Sequence, residues 1–534
     1  MAGSVKRRIA EFYRRQQFRF QNPRQTFRIA IRGTKEIKGL SVCFGTLCIV
    51  DLFGVFPIIA LPAALINCGY YGIPLLFFVI TIQVYTAVIL GRCWIIAEKL
   101  NPTIINKNRY PYAAVAELVY GKCMRNFVTI LLDMTVFGGG VPNLLVAAQN
   151  LQLLGNRISN GNFYFSFCYW LVLIGLFMCP IMWLGSPKNM KALASVSVFT
   201  CSAVALLIWA AIILDGTEYR FKGIELGAPS IENLLQTYGM IIFQFDIHPM
   251  LMTIQVDMQQ KHKIGSAVCL GIIITSFMAV TTTVMAGYRY GASITSNVLE
   301  ILPKSNVLYF AIMLVTLQLC LSSAVGTSPL FQHIEEQLKI PKKFSLKRCL
   351  ARSLLLGFAV LLGELVPRFD LVMGIIGGNN RIKCVVYDCH FIDKKKTKLL
   401  GTLTGPLMFI LPPLLYTKIV KMEQSYDNEL IKGIIARTSA LDDDSEEDYT
   451  LRQRRYGTFK AQKMAVPSKC CAKFWTTICK WFHLLYSDCV LSVAVIIFGV
   501  LATVASTYFN LFNVTSVSEF WSPCIYNISY SFIP

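Results

Sequence analysis

Three ionisable side chains lie inside stretches that are otherwise apolar, and they are the first candidates for chemistry in this sequence. Asp51 lies three residues before Gly54, and Asp246 lies two residues before His248. Ionisable groups at membrane depth are costly, so their presence there indicates a role in binding a substrate or an ion. Histidine titrates near neutral pH, which suits a step coupled to proton movement. The competing interpretations are structural: Asp51 could cap a helix end, and Asp246 with His248 could form a satisfied pair.

These side chains adjoin two predicted interruptions of apolar helices. Gly54 tolerates unusual dihedral angles and Pro57 lacks a backbone donor, so the first helix is predicted to unwind over residues 54–57. A second interruption is predicted within residues 243–249, which end in Pro249. Irregular backbone at membrane depth is tolerated mainly where it faces protein or a water-filled cavity. Ordinary proline kinks are the alternative interpretation.

The two interruptions fall in the first and sixth predicted spans, which are corresponding positions of two five-helix halves. Such pairing is typical of transporters that have inverted repeats and a binding site near the middle of the membrane. The N-terminus of a half-helix would attract a substrate carboxylate, and freed backbone carbonyls would accept an ammonium group or a cation. An amino acid carries both groups. The residues predicted to bind it are Asp51, Gly54, Pro57, Phe245 and Asp246.

The predicted coupling ion is a proton, with sodium as the alternative. Sodium would need oxygen ligands from the first interruption and the eighth span, where small hydroxyl residues also permit close helix packing. The candidate coupling-ion residues are Asp51, Asp246, His248, Ser322 and Ser323, with Thr327 as a further hydroxyl. Because the chain has only five His and lacks nucleophile and phosphate-loop motifs, no cofactor, bound metal or catalytic residue is expected, and an enzyme is disfavoured.

The composition indicates that a lipid bilayer surrounds these residues. The 534 residues are 54% hydrophobic and only 15% charged, whereas an ordinary soluble domain is about 25% charged. At about 20 residues per span, the apolar content suffices for about ten membrane helices. The net charge of +21 comes from Lys and Arg in the polar intervals between apolar runs, which indicates membrane topology and not a nucleic-acid partner.

The sequence predicts an all-α polytopic membrane protein with eleven spans and a five-plus-five inverted repeat. The basic segment 1–38 places the N-terminus in the cytosol, and an odd number of spans places the C-terminus on the lumenal or extracellular side. Glycosylation sequons at Asn513 and Asn527 agree with that side. The predicted spans lie near 40–66, 72–95, 126–154, 163–184, 192–214, 233–255, 266–288, 306–330, 348–366, 370–378 with 402–417, and 487–509.

One transporter core, residues 39–417, is predicted between polar segments. It is followed by a partly disordered cytosolic linker at 418–486, a last helix at 487–509, and a lumenal or extracellular tail at 510–534. The 18 cysteines lie mostly within apolar runs and show neither zinc-ligand nor disulfide-framework spacing. They are therefore interpreted as small core residues.

Several short motifs follow one another along the apolar part of the chain. They are Ala60-Leu61-Pro62 with Gly69-Tyr70-Tyr71-Gly72-Ile73, Tyr85-Thr86 with Leu90-Gly91-Arg92-Cys93-Trp94, Tyr110-Pro111-Tyr112 with Ala116-Glu117, Phe243 to Pro249 with Met258, and Gly405-Pro406-Leu407-Met408-Phe409-Ile410-Leu411-Pro412-Pro413. In this order and spacing they resemble the eukaryotic amino acid/auxin permease family, which includes vesicular inhibitory and proton-coupled amino acid transporters. The resemblance implies eleven helices, a cytosolic N-terminus and the inverted-repeat fold. Val55 and Pro57 stand where that family usually has Gly-x-Gly.

A second departure from the family is an insertion at residues 379–400, which divides a segment that is one continuous helix in the family. Six basic groups cannot plausibly cross hydrocarbon, so the segment must loop into water and split the tenth helix. We interpret it as a retained intron or an alternative exon. The basic residues are Arg381, Lys383, Lys394, Lys395, Lys396 and Lys398.

The favoured function is secondary active transport of a neutral amino acid, coupled to protons, by alternating access about the two broken helices. The alternative is a membrane sensor that binds amino acids and signals without appreciable flux. Either protein would be a multi-pass component of the plasma membrane or of an endomembrane such as that of a vesicle or lysosome.

The insertion hypothesis predicts that transcripts differ across residues 379–400. Sequencing of full-length transcripts should find a fraction that joins Gly378 directly to the codons near Thr402. If every read carries the insertion, the segment is a constitutive part of the protein and the hypothesis is wrong.

Overall fold

The structure of the protein is a computed structural model, and its described part covers most of the predicted core. The N-terminal segment 1–38, the sequon at Asn527, and all but two residues of the insertion lie outside the described residues. Those described are 39–107, 110–160, 165–183, 187–216, 229–341, 344–365, 384–385, 405–439, 488–516 and 518–519.

The described part is helical, with a single two-residue strand pair. Five helices are long and apolar enough to cross a membrane, and three shorter apolar helices accompany them. The fold is therefore that of an all-helical, multi-span membrane protein, as the sequence predicts. The five are Gly69–Leu100, Lys122–Ile158, Ala194–Ile213, Lys261–Tyr290 and Asn306–Gln337, and the shorter ones are Val42–Phe53, Phe167–Trp183 and Val490–Ala505.

The helices are numbered here in chain order. In the first half they are α1 (Val42–Phe53), α2 (Phe56–Ile59), α3 (Leu61–Asn67), α4 (Gly72–Leu100), α5 (Pro111–Tyr120), α6 (Lys122–Ile158), α7 (Phe167–Trp183) and α8 (Pro187–Ile213). In the second half they are α9 (Ile231–Gln244), α10 (His248–Asp257), α11 (Ile264–Tyr290), α12 (Val298–Ile301), α13 (Asn306–Gly326), α14 (Ser328–Gln337), α15 (Leu346–Leu365), α16 (Leu411–Ser439) and α17 (Asp488–Ser516). A π-helical turn, Pro406–Ile410, precedes α16, and the strands β1 (Cys384–Val385) and β2 (Ser518–Glu519) pair in parallel.

Both predicted interruptions are present in the fold. The first span stops at Phe53, is irregular at Gly54 and Val55, and resumes at α2. Pro57 is the second residue of α2, where a backbone N–H would have no partner within the helix. A proline therefore costs no hydrogen bond at this position, and Pro57 belongs to the start of the new helix and not to the break. The sixth span stops at Gln244 and resumes at His248.

The first span lies between the two apolar cores of the molecule. Ile49 and Phe53 belong to one cluster of buried side chains, which also contains much of α4, α5 and α10. Val50 belongs to the other, which is built largely from α6, α8 and α13. The break after α1 therefore lies at the junction of the two cores.

Two sequence-based expectations differ from the structure. Helix α16 continues to Ser439, whereas the core was expected to end at residue 417, because polar residues beyond that point still favour helix outside hydrocarbon. Cys168 is disulfide-bonded, so the interpretation of the cysteines as core residues without a bridge is wrong at this position. Spacing along the chain does not report which cysteines the fold brings together.

A buried ionic cluster fixes α14 to its neighbours. The Glu335 carboxylate accepts hydrogen bonds from Nε of Arg348 at 2.9 Å and from Nε of Arg352 at 2.6 Å. Arg352 also donates to the carbonyl of Met182 in α7 at 2.5 Å, and its guanidinium lies 5.3 Å from the centre of the Phe331 ring. Because the carboxylate has two cationic partners, its burial is compensated.

Removal of Arg352 should destabilise the protein strongly. Its side chain is 1% exposed. In Arg352→Ala, Glu335 keeps only Arg348 as a partner and the Met182 carbonyl loses the hydrogen bond from Arg352, which should lower the free energy of unfolding by about 3 kcal/mol. Thermal unfolding in detergent should show a clearly lower melting temperature. The control is Lys99→Ala, whose ion pairs with Glu423 and Asp427 are exposed and contribute less than about 1 kcal/mol. Equal melting temperatures for the two variants would contradict this role of the cluster.

Candidate functional site

Asp51 lies in the last turn of α1 and is fully buried at 0% exposure. Within the described residues, neither oxygen of its carboxylate makes a hydrogen bond of normal geometry, although the hydroxyl of Ser197 in α8 interacts with it. Its backbone carbonyl accepts a hydrogen bond from the Ser322 hydroxyl of α13 at 2.9 Å. The carboxylate is therefore held in the interior without a cationic partner among the described groups.

Gly54 makes the first break possible. Its φ of 61° and ψ of −149° belong to a region that only glycine adopts readily. A Cβ atom here would lie 3.0 Å from Nε2 of Gln318, so the space is also occupied. The freed carbonyl of Gly54 accepts a hydrogen bond from the Cys201 thiol at 3.4 Å. Gln318 in turn donates to the Ser197 hydroxyl at 3.3 Å, which joins α8 and α13 behind the break.

The second break consists of Phe245, Asp246 and Ile247. The Asp246 carboxylate accepts a hydrogen bond from the backbone N–H of His248 at 3.2 Å, an Asx-type turn that ends the irregular segment and starts α10. The same carboxylate oxygen lies 3.8 Å from Nδ1 of His248. Pro249 occupies the second position of α10, where it has no helical hydrogen bond to lose.

The fold brings the two breaks together. The rings of Phe53 and Phe245 are 5.3 Å apart between centroids with an interplanar angle of 57°. Further out, the Thr237 hydroxyl of α9 donates to the Ala64 carbonyl of α3 at 3.0 Å. The half-helices that follow the first break and precede the second therefore pack along each other, and both irregular segments share one region of the interior.

His248 has a polar partner that sequence reasoning missed. Its Nε2 lies 2.9 Å from the hydroxyl of Thr86 in α4, and both side chains are fully buried. One turn earlier on α4, the Gln83 amide donates to the Ile242 carbonyl of α9 at 3.3 Å. The available signal was a pair of polar residues, three positions apart, within the apolar run that forms α4.

Two buried glutamines were also missed. Gln244 is the last residue of α9, next to the second break, and neither atom of its amide has a partner within the described residues. It lies seven positions after Thr237, on the face of α9 that packs against the first span. The Oε1 atom of Gln318 is likewise buried and unpaired there. Orphaned buried amides are rare and costly, so these two mark a region able to receive a ligand.

The three hydroxyl candidates on the eighth span have different environments. Ser322 is bonded to the Asp51 carbonyl, whereas the Thr327 hydroxyl donates to the Ser323 carbonyl at 2.7 Å. Ser323 is buried beside them. Among the described residues, no group of three or more His, Cys, Asp or Glu could hold a metal ion.

A second histidine–carboxylate pair lies away from the breaks. Asp133 in α6 accepts a hydrogen bond from the Tyr110 hydroxyl at 2.6 Å and lies 3.0 Å from Nδ1 of His333 in α14. Burial and the adjacent Asp133 carboxylate raise the pKa of the Tyr110 phenol well above its usual range. Because these groups are mutually satisfied, they are assigned to the scaffold.

Comparison with known proteins gives one family match and several distant relatives. Residues 45–387 match the family described as transmembrane amino acid transporter protein, and the match ends inside the insertion expected at 379–400. Amino acid transporter AVT1J of Arabidopsis thaliana is 18% identical over 60% of this chain and 74% of its own length. Amino acid transporter AVT1D of the same plant is 23% identical over 66% of this chain and 64% of its own length.

Among solved structures, the crystal structure of MhsT in complex with L-phenylalanine is similar to this chain at 12% sequence identity. The superposition covers 70% of this chain and 87% of that one, with a TM-score of 0.46.

Gly54→Ala should damage the first break. The side chain would be strained at the positive φ, at about 1–2 kcal/mol, and would press on the Gln318 amide. The expected result is a lower melting temperature in detergent. The control is Gly139→Ala in α6, where a Cβ meets nothing within 4 Å and alanine favours the helix by about 0.5–1 kcal/mol. A Gly54→Ala protein as stable as the Gly139→Ala protein would show that the break does not need glycine.

Proposed function

Because the chain belongs to the transmembrane amino acid transporter family, as its match over residues 45–387 shows, we propose that it carries a neutral amino acid across a membrane with a proton. This family consists of transporters and not of enzymes, in agreement with the sequence analysis. We place the substrate between the two breaks, at Asp51, Gly54, Pro57, Phe245 and Asp246.

The observation that carries this proposal is the contact between the two interrupted helices through Phe53 and Phe245. Both breaks adjoin a carboxylate, and the groups around them are hydroxyl, amide, thiol and imidazole groups. Within the described residues, no Lys or Arg forms a hydrogen bond or an ion pair with a residue of either break. A side-chain carboxylate of a substrate would lack a cationic partner there, which favours neutral over acidic amino acids.

The buried carboxylate of Asp51 supports coupling to a cation. A buried charge without a partner is strongly unfavourable, so the group is stable when it carries a proton or faces a substrate ammonium. The Asp246 carboxylate lies beside the His248 imidazole, and each of these groups can hold a proton. This arrangement favours a proton over sodium as the coupling ion.

Alternating access would use the two breaks as hinges. The five-plus-five inverted repeat places them at equivalent positions in the two halves, so one motion opens the site to either side in turn. The proposal includes the orientation expected from the sequence, with a cytosolic N-terminus in the plasma membrane or an endomembrane and a lumenal or extracellular C-terminus.

The function is tested by uptake into proteoliposomes that contain the purified full chain and the same chain lacking residues 379–400. A panel of labelled neutral, acidic and basic amino acids is measured with an imposed pH gradient, with and without sodium. The expected result is uptake of neutral amino acids that follows the pH gradient and does not require sodium. Binding without flux would favour a sensor and would contradict the transport proposal.

Asp246→Asn should abolish the pH dependence of uptake, because a protonated His248 ring would then be buried without the carboxylate that lies beside its Nδ1. Initial rates between pH 5 and 8 should therefore become nearly flat. Asp427→Asn is the matched control, since Asp427 lies on α16 in an exposed pair with Lys99. If Asp246→Asn retains the wild-type pH profile, this residue does not take part in coupling.

A further inference from the structure

The interior contains a chain of three polar groups that runs from α4 to the second break. It consists of the Thr86 hydroxyl, the His248 imidazole and the Asp246 carboxylate. Thr86 and His248 are 162 positions apart in the sequence, and each is 0% exposed. A buried polar group must find partners inside the protein, so the hydrogen atoms of this chain can be counted.

The Thr86 hydroxyl has one hydrogen and three neighbours that could accept it. Its oxygen lies 3.1 Å from the carbonyl oxygens of both Ile82 and Gln83, and 2.9 Å from Nε2 of His248. When the hydrogen points to a helix carbonyl, the oxygen is free to accept a hydrogen bond from Nε2–H. When it points to the imidazole, the hydroxyl donates to an unprotonated Nε2.

The other ring nitrogen faces a carboxylate. Nδ1 of His248 lies 3.8 Å from Oδ1 of Asp246 and has no hydrogen-bond partner within the described residues. A hydrogen on Nδ1 would point toward a negative charge, whereas a lone pair there would face it unfavourably. The fully protonated ring therefore directs Nε2–H at the Thr86 oxygen and Nδ1–H toward the negative charge of Asp246. The neutral ring with Nδ1–H keeps both contacts if the Thr86 hydroxyl turns to donate to Nε2.

We propose that Thr86 is a positioning residue for the coupling proton on His248. In the loaded state, in which His248 carries the coupling proton, Nε2–H donates to the Thr86 oxygen, and the Thr86 hydrogen points to the Ile82 or Gln83 carbonyl. On unloading, the Nε2 proton passes to water, its electron pair stays on Nε2, and the Thr86 hydroxyl turns to donate to that pair. No other bond forms or breaks. This inference rests on the proposed proton-coupled transport.

Several titratable groups besides Asp246 and His248 lie on the elements that pack against α10. The Tyr112 hydroxyl of α5, which interacts with Asp246, donates to the Leu407 carbonyl at 2.8 Å. Asp133 of α6 is bonded to Tyr110, and Lys261 beside the end of α10 is bonded to Glu98. Asp51 of α1 and Cys93 of α4 are the remaining buried titratable groups on helices that pack against α10.

Because both side chains are sealed from solvent, the proton cannot exchange in this conformation. Its release requires a change of conformation that lets water reach the contact between Thr86 and His248. The proton site therefore lies on a helix contact that a change of access must open, which links loading of the proton to the conformation of the sixth span.

The test compares Thr86→Val, Thr86→Ser and Thr81→Val in the proteoliposome assay. Valine keeps the shape of threonine but can neither accept from the protonated ring nor donate to the neutral one. Because a hydrogen bond that involves a charged group is the stronger of the two, the midpoint of the pH profile should move to lower pH by about one unit. Thr86→Ser should restore the midpoint. Thr81 lies on the same helix with its hydroxyl bonded only to the Phe77 carbonyl at 2.7 Å, so Thr81→Val should leave the profile unchanged.

Exchange of labelled for unlabelled amino acid at constant pH shows that each variant is folded and binds substrate. Thr86→Val should also be combined with His248→Gln, in which no titrating ring remains and the valine should cause no further shift. The positioning role is overturned if Thr86→Val exchanges substrate but keeps the wild-type pH midpoint. It is also overturned if the valine shifts the midpoint by the same amount in the His248→Gln background. In either case proton-coupled transport stands. If wild-type uptake ignores the pH gradient, the proposed function itself fails.

Should Thr86→Val not exchange substrate at all, Thr86→Ala replaces it, because the smaller side chain also lacks the hydroxyl and avoids any steric fault of valine. The same shift to lower pH is expected. An unchanged midpoint in that variant overturns the proposal.

Discussion

A helix that stops within an apolar interior frees backbone groups, and these must be satisfied by other parts of the protein. At the first break, the Asp51 and Gly54 carbonyls receive hydrogen bonds from Ser322 and Cys201. An unpaired carbonyl in hydrocarbon costs several kcal/mol, so helices α8 and α13 have to approach this point with suitable donors. Much of the packing around the first span follows from that requirement.

The buried acids of the scaffold and of the candidate site differ in their partners. Glu335 is bonded to two arginines, and Asp133 is bonded to Tyr110 and His333, so these acids hold helices in fixed positions. Next to the first break, the Asp51 carboxylate has no cationic partner among the described residues. Asp51, Gln244 and Gln318 each keep buried atoms unpaired within the described residues. Such incomplete satisfaction is unfavourable for stability and is what a ligand site requires before its ligand binds.

The first break also lies where the two apolar cores of the described residues meet. The first span shares its side chains between two apolar cores, with Phe53 in one and Val50 in the other. In the proposed transport cycle, bending at Gly54 would move the cores relative to each other without a loss of regular helix. The contact of Phe53 with Phe245 links the first break to the second, so in that cycle a movement of either half-helix would also displace the other.

The sequence by itself determined the membrane environment, the helical class and the approximate place of both breaks. These depend on composition and on local features, namely glycine, proline and charged residues within apolar runs, and neighbours along the chain suffice to identify them. The tertiary structure alone decided that Thr86 faces His248, that Gln318 lies against Gly54, and that Cys168 is bridged. The first two contacts join residues that lie far apart in the sequence, and only the packing of the helices determines that they meet.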